Sequence, residues 1–359
     1  MNKLIFISVH PIHYNDFLFH EIDKSGIDIT VYYANKVLHN YPWKTKLNYT
    51  FPYKDCHYTL GIDWELLGKA VFSRNTTFMI AGWDSFFKNI LFLAFIIFRK
   101  RYIITSDTVK PHLKRHWLKG AVRKLWLDII LGNAYKILTT GDVGVRAMAS
   151  IYKKETDKII NFPFTTDLNY FNTVPDFSNF KDEKIIFSSG RLLNSHKGHD
   201  VAIKALSLLK NKGYNFKYLI AGTGPDEEML KNLIKELDME SCVTLLGWQE
   251  ISGVKELYSK THIFLHPAHF DPFPNAVLEA MASSLIVVAS DKSGSAVERV
   301  TDKVSGFIFK DNDIDGLAVL LAEIFDLDAS ALAEISSAAN QVSKKWDVSY
   351  NLKIVKEVL

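Results

Sequence analysis

Short apolar runs that end in a glycine or a polar loop recur through the chain, and helical patterns follow most of them. In the C-terminal half, strands are predicted at Ile185–Ser188 and Tyr218–Ala221 and in the runs CVTLLG, HIFLH and LIVVAS. In the N-terminal half the corresponding runs are LIFISV, DITVYYA, TFMIAG, YIITSD and AYKILTTG. Alternating strands and helices build parallel sheets, whose ligands bind at the carboxyl ends of the strands. The pattern therefore predicts an α/β protein with two doubly wound parallel sheets.

The length of the chain indicates two domains. A chain of 359 residues is longer than one hydrophobic core usually serves. We place an N-terminal domain at 1–165 and a C-terminal domain at 180–344. The segment 161–183 contains two prolines and no clear periodicity, and we place a linker within it at 166–179. The last residues, 345–359, are predicted to form a helix.

The segment FDPFPNAVLEAMA combines a proline-stiffened loop with a helix that is predicted to begin at about Ala276. Asn275 is the predicted N-cap, Asp271 lies in the loop, and Glu279 follows about one turn into the helix. Free backbone N–H groups at a helix start bind anions, and flanking carboxylates suit an anion that carries hydroxyl groups, such as a sugar phosphate. On these residues alone, an ordinary capped core helix with two solvated acids is the alternative.

Two cations follow the first strand of the C-terminal half, in the loop that leads to the next helix. Arg191 offers a planar fork for phosphate oxygens, and Lys197 offers a mobile point charge. The alternative is that both are ordinary surface cations. The next strand ends in Gly222-Thr223-Gly224-Pro225, which lacks the third glycine of a dinucleotide-binding fingerprint.

The order of these motifs is similar to that of a known family. The motifs are G-R-L…K-G, A-G-x-G-P, L-G-W, H-P-x…acid-x-F-P-N-x-x-L-E-A-M-A and V-V-A-S-D, nearly continuous from about residue 187 to 309. They resemble the retaining nucleotide-sugar glycosyltransferases of family 4, including bacterial surface-polysaccharide glycosyltransferases. This resemblance implies the GT-B fold, in which two Rossmann-like domains face each other across a cleft and a C-terminal helix crosses back to the N-terminal domain.

The resemblance also implies roles for individual residues. Four are predicted to be catalytic: Arg191 and Lys197 on the donor diphosphate, Glu279 on the ribose hydroxyls, and Asp271 on the transferred sugar. Further donor contacts are implied for Gly190, Gly222, Gly224, Gly247, Phe273, Pro274, Asn275 and Ala276. The family usually has Glu at the position of Asp271 and often has Gly at that of Pro274. The shorter Asp side chain changes the reach to a sugar hydroxyl, so the donor sugar stays open.

The activity that the resemblance implies is retaining transfer of a hexose-type sugar, hexosyl or N-acetylhexosaminyl, from a nucleoside-diphosphate sugar. The acceptor would be a hydroxyl group of a glycan or lipid-pyrophosphate-linked molecule, in synthesis of O-antigen, capsule or another surface polysaccharide. Because cations and a helix start can stabilise the leaving diphosphate, we expect no cofactor and no metal. A nucleotide-sugar epimerase of similar fold and a non-catalytic polysaccharide-biosynthesis scaffold are the alternatives.

Polar side chains also follow the predicted strands of the N-terminal half. The acceptor-cleft candidates are His10 and His13 in the first loop, Asp84 after the TFMIAG strand, and Asp107 after the YIITSD strand. Members of the resembled family commonly have a glycine pair after the first strand, and this chain has none. The alternative is that each histidine is a loop hydrogen-bonder rather than a catalyst.

Charge is distributed unevenly along the chain. Residues 1–175 hold 23 Lys and Arg against 14 Asp and Glu, and ten of these cations lie between residues 86 and 131 among aromatic residues. No recognisable nucleic-acid module accompanies them, so no nucleic-acid partner is expected. The segment from Lys110 to Trp126 is predicted to contact anionic lipid. The apolar run from Ile90 to Phe98 is too short to span a bilayer and is predicted to be mostly a core helix.

The N-terminal apolar run is short for a secretory signal, and two cysteines, Cys56 and Cys242, are too few for a disulfide framework. These features, with the predicted lipid contact, indicate a cytoplasmic protein that is peripheral on the inner face of the cytoplasmic membrane.

Overall fold

The computed structural model describes residues 3–35, 49–107, 117–154 and 156–359, with the side chains of 117–119 left out of the description. The chain divides into two compact units, which we call unit 1 (Met1–Thr165 with Val348–Leu359) and unit 2 (Thr166–Asp347). The predicted linker, 166–179, is instead part of unit 2. Phe171 and Phe177 are buried there. A segment without regular secondary structure can thus still contribute aromatic side chains to a core.

Unit 1 is built on a seven-stranded parallel sheet in the order β3-β2-β1-β4-β5-β6-β7. Its elements are β1 (Lys3–Ser8), α1 (His13–Lys24), β2 (Ile29–Tyr33), β3 (Tyr53–Asp55), α2 (Trp64–Phe72), β4 (Thr76–Ala81), α3 (Phe86–Ile97), β5 (Tyr102–Ser106), α4 (Trp117–Asn133), β6 (Lys136–Thr139), α5 (Gly141–Ile151) and β7 (Ile159–Asn161). The strands are apolar nearly throughout because helices cover both faces of the sheet.

Unit 2 is built on a six-stranded parallel sheet in the order β10-β9-β8-β11-β12-β13. Its elements are β8 (Lys184–Ser189), α6 (Asn194–Lys197), α7 (His199–Asn211), β9 (Phe216–Ala221), α8 (Glu227–Glu236), β10 (Val243–Gly247), α9 (Ile251–Ser259), β11 (Ile263–His266), α10 (Asn275–Ala282), β12 (Ile286–Ser290), α11 (Gly294–Arg299), β13 (Phe307–Phe309), α12 (Ile314–Phe325) and α13 (Ala329–Ser343). The chain then returns to unit 1 as α14 (Val348–Val358).

Two helical layers enclose the sheet of unit 1. Side chains of α2, α3, α4 and α5 form one core with one face of the strands, and α1 and α14 form another core with the opposite face. Helix α14 is also held by Arg101, whose Nη2 donates to the carbonyl oxygen of Val358 at 2.9 Å. The predicted return of the C-terminal segment to the N-terminal domain agrees with this arrangement.

Both sheets reverse their strand order at one place. In unit 1 the reversal lies between β1 and β4, and in unit 2 it lies between β8 and β11. The loops that leave adjacent strands at such a point run in opposite directions, so a crevice opens at the carboxyl ends of the strands. The strand order therefore predicts one ligand site per unit, at the loops after β1 and β4 and at the loops after β8 and β11.

The predicted strands are all present, and the predicted core helix at 90–98 lies within α3. That helix is only half buried: Phe87, Leu91 and Phe95 pack into the core, whereas Leu93 and Ile97 are exposed. The sequence prediction treated the run as core because it is apolar on every side, and apolarity alone does not identify the side that faces the sheet.

Candidate functional site

Two glycines bring the loop after β8 close to its neighbours, the loop after β11 and the loop after β9. Gly198 ends α6 with a φ of 62°, and a side chain there would collide with the carbonyl oxygen of Pro267. Gly222, after β9, has a φ of 142°, and a side chain there would collide with the carbonyl oxygen of Gly190. Only glycine permits these backbone conformations at such close approach. The glycines thus set the spacing of the loops, and the donor-binding roles predicted for Gly190, Gly222, Gly224 and Gly247 stay predictions.

Lys197, Asp271 and His266 meet in these loops, and we call them the lysine–acid–histidine cluster. Lys197, the last residue of α6, is ion-paired with Oδ2 of Asp271. His266, the last residue of β11, is 2% exposed, and its Nε2 lies 3.2 Å from the same oxygen. One carboxylate oxygen therefore contacts a cation from one side of the strand-order reversal and an imidazole from the other.

The cluster has a defined charge state. Burial alone would raise the pKa of Asp271, but the Lys197 ammonium and the His266 imidazole outweigh it and hold that pKa well below its usual range. Burial also lowers the pKa of His266, and the Asp271 carboxylate opposes this effect only in part. At neutral pH Asp271 is therefore ionised and His266 is neutral.

Arg191, the second predicted phosphate cation, lies two residues after β8. It is exposed, and within the described residues its guanidinium makes no hydrogen bond or ion pair. Its planar fork is consequently available to an anion in solution.

The loop that carries Asp271 is anchored by backbone hydrogen bonds to the loop after β12. The amide of Asp271 donates to Lys292 at 3.2 Å, and its carbonyl accepts from Gly294 at 2.9 Å. Phe273 is buried under the guanidinium of Arg299, whose central carbon lies 4.5 Å from the ring centre. These contacts fix the path of the loop on both sides of Asp271.

Helix α10 begins one residue earlier than predicted. Its N-cap is Pro274, and Asn275 is the first helical residue, so the predicted capping role of Asn275 is wrong. The extended φ and ψ of Pro274, −65° and 125°, already turn the chain into the helix. The first N–H groups of α10, from Asn275 and Ala276 onward, have no partner within the helix, as at every helix start.

Glu279 is buried inside unit 2, as His266 is. Its side chain is 8% exposed, and its Oε2 accepts a hydrogen bond of 3.3 Å from the hydroxyl of Tyr258 on α9. Burial raises the pKa of Glu279 to about 7, against the opposing effect of the Tyr258 hydrogen bond. Glu279 therefore changes its charge near neutral pH, and its acceptor strength changes with it.

Unit 1 has a cavity of about 330 Å³ at its own strand-order reversal. Three of the four acceptor candidates line it: His10 after β1, Asp84 after β4 and Asp107 after β5. Aromatic and hydroxyl side chains share the lining, including Tyr14, Thr105, Ser106, Phe162 and Phe164. The fourth candidate, His13, is not among the lining residues; it opens α1, and its ring packs edge-on against Tyr14.

A buried lysine holds the loop after β4. Lys88, on α3, is 3% exposed, and its Nζ donates to the carbonyl oxygen of Ala81 at 2.5 Å and to Oδ1 of Asp84 at 2.8 Å. Burial alone would raise the pKa of Asp84, but the Lys88 hydrogen bond and charge outweigh it and lower that pKa. Asp84 is thus a fixed carboxylate at the mouth of the cavity.

Sequence reasoning missed His266, Tyr258 and Lys88. His266 stands in the motif H-P-A-H-F, directly before the loop of Asp271, and its place at a strand end is the signal that could have identified it. Tyr258 gave no such signal because its partner Glu279 lies 21 positions away in the sequence. Lys88 gave none because nothing in the sequence shows that its side chain is buried.

Within the described ranges, no three His, Cys, Asp or Glu side chains come together as a metal site. In the same part of the chain, no helix combines the length and the apolarity that crossing a bilayer requires. The predicted lipid-contact segment from Lys110 to Trp126 lies partly outside the described residues: Lys110, Lys114 and Arg115 are not described, nor is the side chain of Lys119.

Two Rossmann-like units with parallel sheets of seven and six strands define the GT-B fold. Unit 2 in particular matches a family model: residues 172–342 match the family described as glycosyl transferases group 1. The matched residues make up most of unit 2 and just under half of the chain.

Curated relatives match the same half of the chain. The amylovoran biosynthesis glycosyltransferase AmsK of Erwinia amylovora is 32% identical over 173 residues, which are 46% of this chain and 42% of the relative. The N-acetylgalactosamine-N,N'-diacetylbacillosaminyl-diphospho-undecaprenol 4-alpha-N-acetylgalactosaminyltransferase of Campylobacter jejuni is 32% identical over 145 residues, 39% of this chain and 38% of the relative. The matches thus span about two fifths of the length of these relatives.

A solved structure matches both units together. HepE from Anabaena, in a crystal structure with UDP, covers 99% of this chain and 98% of its own with a TM-score of 0.76 at 15% identity. At this identity the likeness supports the fold alone.

Proposed function

We propose that this protein is a glycosyltransferase of bacterial surface-polysaccharide synthesis, which uses a nucleoside-diphosphate sugar as donor. The observation that carries the proposal is the lysine–acid–histidine cluster at the strand-order reversal of unit 2, inside the region that matches the glycosyl transferases group 1 model. The relative from Erwinia amylovora is named for biosynthesis of a polysaccharide.

The donor diphosphate binds at Lys197, Arg191 and the first turn of α10. Lys197 and Arg191 supply two positive charges from one loop, and the helix start supplies backbone N–H groups. Lys197 is ion-paired with Asp271 in the structure, so a diphosphate competes with Asp271 for the ammonium. The carboxylate that is released stays held by His266 and becomes an acceptor for a hydroxyl group of the donor sugar.

The reaction proceeds with retention at the anomeric carbon and moves a hexose-type unit. Negative charge develops on the leaving diphosphate as the glycosidic bond stretches, and Lys197 and Arg191 stabilise it electrostatically. The acceptor hydroxyl attacks from the face that the diphosphate leaves, and its proton passes to the departing phosphate oxygen. The new bond joins acceptor oxygen to the sugar, and the nucleoside diphosphate leaves with the proton.

The acceptor binds in the cavity of unit 1, where Asp84 and Asp107 offer carboxylates to its hydroxyl groups. We further propose that the acceptor is linked to a lipid pyrophosphate, so that the protein works as a peripheral protein at the inner face of the cytoplasmic membrane. The name of the relative from Campylobacter jejuni specifies a diphospho-undecaprenol acceptor, and the N-terminal half of this chain carries the excess of cations.

A nucleotide panel tests this proposal. UDP, GDP, ADP and CDP are compared by thermal shift, since a ligand that binds only the folded state raises the melting temperature. We expect one nucleotide to raise the melting temperature of the wild type and to raise that of Lys197→Ala less. The control is Lys231→Ala, which removes a surface lysine of α8 paired with Glu227 and Glu228 and should respond like wild type. A screen for slow donor hydrolysis then identifies the sugar. Absence of any shift with all four nucleotides would contradict a nucleotide-sugar donor.

A further inference from the structure

Three neighbouring helices of unit 1 expose large apolar side chains to solvent. Phe72 at the end of α2 is 81% exposed, Phe86 at the start of α3 is 69% exposed, and Leu125 on α4 is 64% exposed. The complete set, which we call the outer apolar face, is Leu60, Trp64, Phe72, Phe86, Leu93, Ile97, Phe98, Val122, Leu125 and Ile129. Single exposed apolar residues are normal on proteins, but a set that includes one Trp and three Phe on adjacent helices indicates a binding surface.

The outer apolar face is continuous because its helices are neighbours on one side of the sheet. All three contribute buried side chains to the same core. The indole Nε1 of Trp126 on α4 donates to Oδ1 of Asn89 on α3 at 2.6 Å, and Nζ of Lys100 donates to the carbonyl oxygen of Ser73 at 2.6 Å. The second bond joins the end of α3 to the end of α2, so Phe72 and Phe98 belong to one edge of the face.

Helix α3 shows that the exposure follows the helical period. Phe87, Leu91 and Phe95 are buried, whereas Phe86, Leu93 and Ile97 are exposed, with spacings of seven and four residues. A surface helix of a soluble protein normally places polar residues on that outer side. Here the outer side of α3 is as apolar as its inner side, which favours an apolar environment outside the protein as well as inside it.

Charge identifies the kind of environment. Exposed cations border the face on each helix: Arg74 after α2, Arg99 after α3 and Lys124 on α4. The acidic residues of these helices do not offset this positive charge, because Glu65 is ion-paired with Lys54 and Lys69 and Asp128 is half-buried. No acidic residue occurs between Phe86 and Lys100. An apolar surface with aromatic residues and a basic border matches the interface of an anionic bilayer.

We infer that the outer apolar face inserts into the headgroup region of an anionic lipid bilayer and holds unit 1 on the membrane. This inference rests on the proposed function, because it concerns the membrane contact proposed there. It places that contact on described residues of α2, α3 and α4 rather than on the segment from Lys110 to Trp126. Apolar insertion supplies affinity, and the cations select anionic lipid.

Vesicle flotation of the full chain tests the inference. The probes are vesicles of pure phosphatidylcholine and vesicles of phosphatidylcholine mixed with phosphatidylglycerol. The variant Phe72→Ser/Ile97→Gln/Leu125→Gln removes one exposed apolar side chain from each helix, and its matched control is Val174→Gln/Val304→Gln/Val319→Gln, three exposed apolar residues of unit 2. Wild type and control should float with the anionic vesicles, and the unit 1 variant should bind at least about tenfold more weakly.

A second variant and two solution measurements complete the test. Arg99→Gln/Lys124→Gln should retain insertion but lose most of the preference for anionic over neutral vesicles. Circular dichroism confirms that each variant is folded, and light scattering reports the oligomeric state. The inference is overturned if the triple variant of unit 1 floats like wild type, or if wild type floats with neither kind of vesicle. It is also overturned if wild type is a dimer that this variant converts to a monomer, because a second copy then covers the face. Nucleotide shifts measured without vesicles report separately on the donor site, so failure of the proposed function is distinguishable.

Discussion

The two strand-order reversals of this molecule share a backbone arrangement and differ in their side chains. In unit 2 the loops after β8 and β11 are drawn together, and the ion pair of Lys197 with Asp271 fills the reversal. In unit 1 the loops after β1 and β4 leave a cavity of about 330 Å³ lined by aromatic, hydroxyl and carboxylate groups. Parallel sheets therefore provide the place for a ligand, and the loops decide which ligand chemistry the place can accept.

The two sites also use lysine differently. Lys197 is partly accessible, with a side-chain exposure of 20%, and can exchange its carboxylate for a phosphate. Lys88 is buried and bonded to Ala81 and Asp84, so it fixes the loop after β4. This contrast supports the proposed ligand binding by Lys197 and indicates a structural role for Lys88.

The largest effect is expected for Lys197→Ala. Removing the ammonium leaves the developing charge of the diphosphate without one of its two proposed cations, so turnover should fall at least tenfold, about 1.4 kcal/mol or more. Turnover is measured by steady-state kinetics with the donor that the nucleotide panel and the hydrolysis screen identify. Lys231→Ala on the surface of unit 2 is the control. Turnover equal to wild type in Lys197→Ala would refute the assignment of Lys197 to the diphosphate.

His266→Leu tests whether the imidazole positions Asp271. Without the imidazole, which lies 3.2 Å from Oδ2 of Asp271, the carboxylate can leave the position proposed to receive the sugar, and turnover should fall about tenfold, about 1.4 kcal/mol. His266→Gln places an amide donor at similar reach and should recover much of the activity. A purely structural histidine would predict no such difference between the Leu and Gln variants at equal melting temperatures.

Asp107→Asn tests the cavity of unit 1 as the acceptor site. Loss of one charged hydrogen-bond acceptor should raise the acceptor KM about fivefold, roughly 1 kcal/mol, with the donor dissociation constant unchanged. Lys197→Ala should show the reverse pattern for donor binding. If Asp107→Asn altered donor affinity and left acceptor KM unchanged, the division of roles between the two units would be wrong.

Glu279→Gln should weaken nucleotide binding about threefold, roughly 0.7 kcal/mol, because an amide accepts ribose hydroxyl bonds less strongly than a carboxylate. An unchanged donor dissociation constant would count against the ribose role. The donor dissociation constant is measured by calorimetry above pH 7, where the wild-type Glu279 is ionised.

The same variant has a stability signature. The folded-state pKa of Glu279 is raised to about 7, so ionising this group costs folding free energy once the pH exceeds the pKa of the unfolded chain. The cost in the wild type grows as pH rises from about 4.5 to 7 and is constant above. At pH 8 Glu279→Gln should therefore have a free energy of unfolding higher than that of wild type by on the order of 3 kcal/mol, with a higher melting temperature, whereas the two should differ little at pH 4. A gain independent of pH would contradict the raised pKa.

Particular residues show where sequence reasoning succeeded. Lys197 and Asp271 are 74 positions apart, yet both follow buried strands, and parallel strands that neighbour each other bring their following loops to one edge. The strands themselves were predictable because each is a short apolar run bounded by glycine or polar residues. Their placement at 263–266 and 184–189 then brought the two residues together.

Other residues show where it failed. The N-cap of α10 was placed on Asn275, since Asn is a preferred cap, but the geometry of Pro274 already starts the helix. The role of His266 depends on a contact that no local pattern records. The run from Ile90 to Phe98 was predicted to be mostly a core helix, but its composition did not say which side meets the sheet and which faces solvent.

The sequence alone determined the two-sheet architecture and the order of the strands and helices. It also placed cations and an acid, Arg191, Lys197 and Asp271, in loops that follow strands of the C-terminal half. These properties depend on short-range periodicity and on residue type. Only the tertiary structure decided that Lys197, Asp271 and His266 share one oxygen, that Glu279 is buried beneath Tyr258, and that the apolar residues of α2, α3 and α4 face solvent. Those properties arise from packing between distant segments, which sets exposure, distance and pKa together.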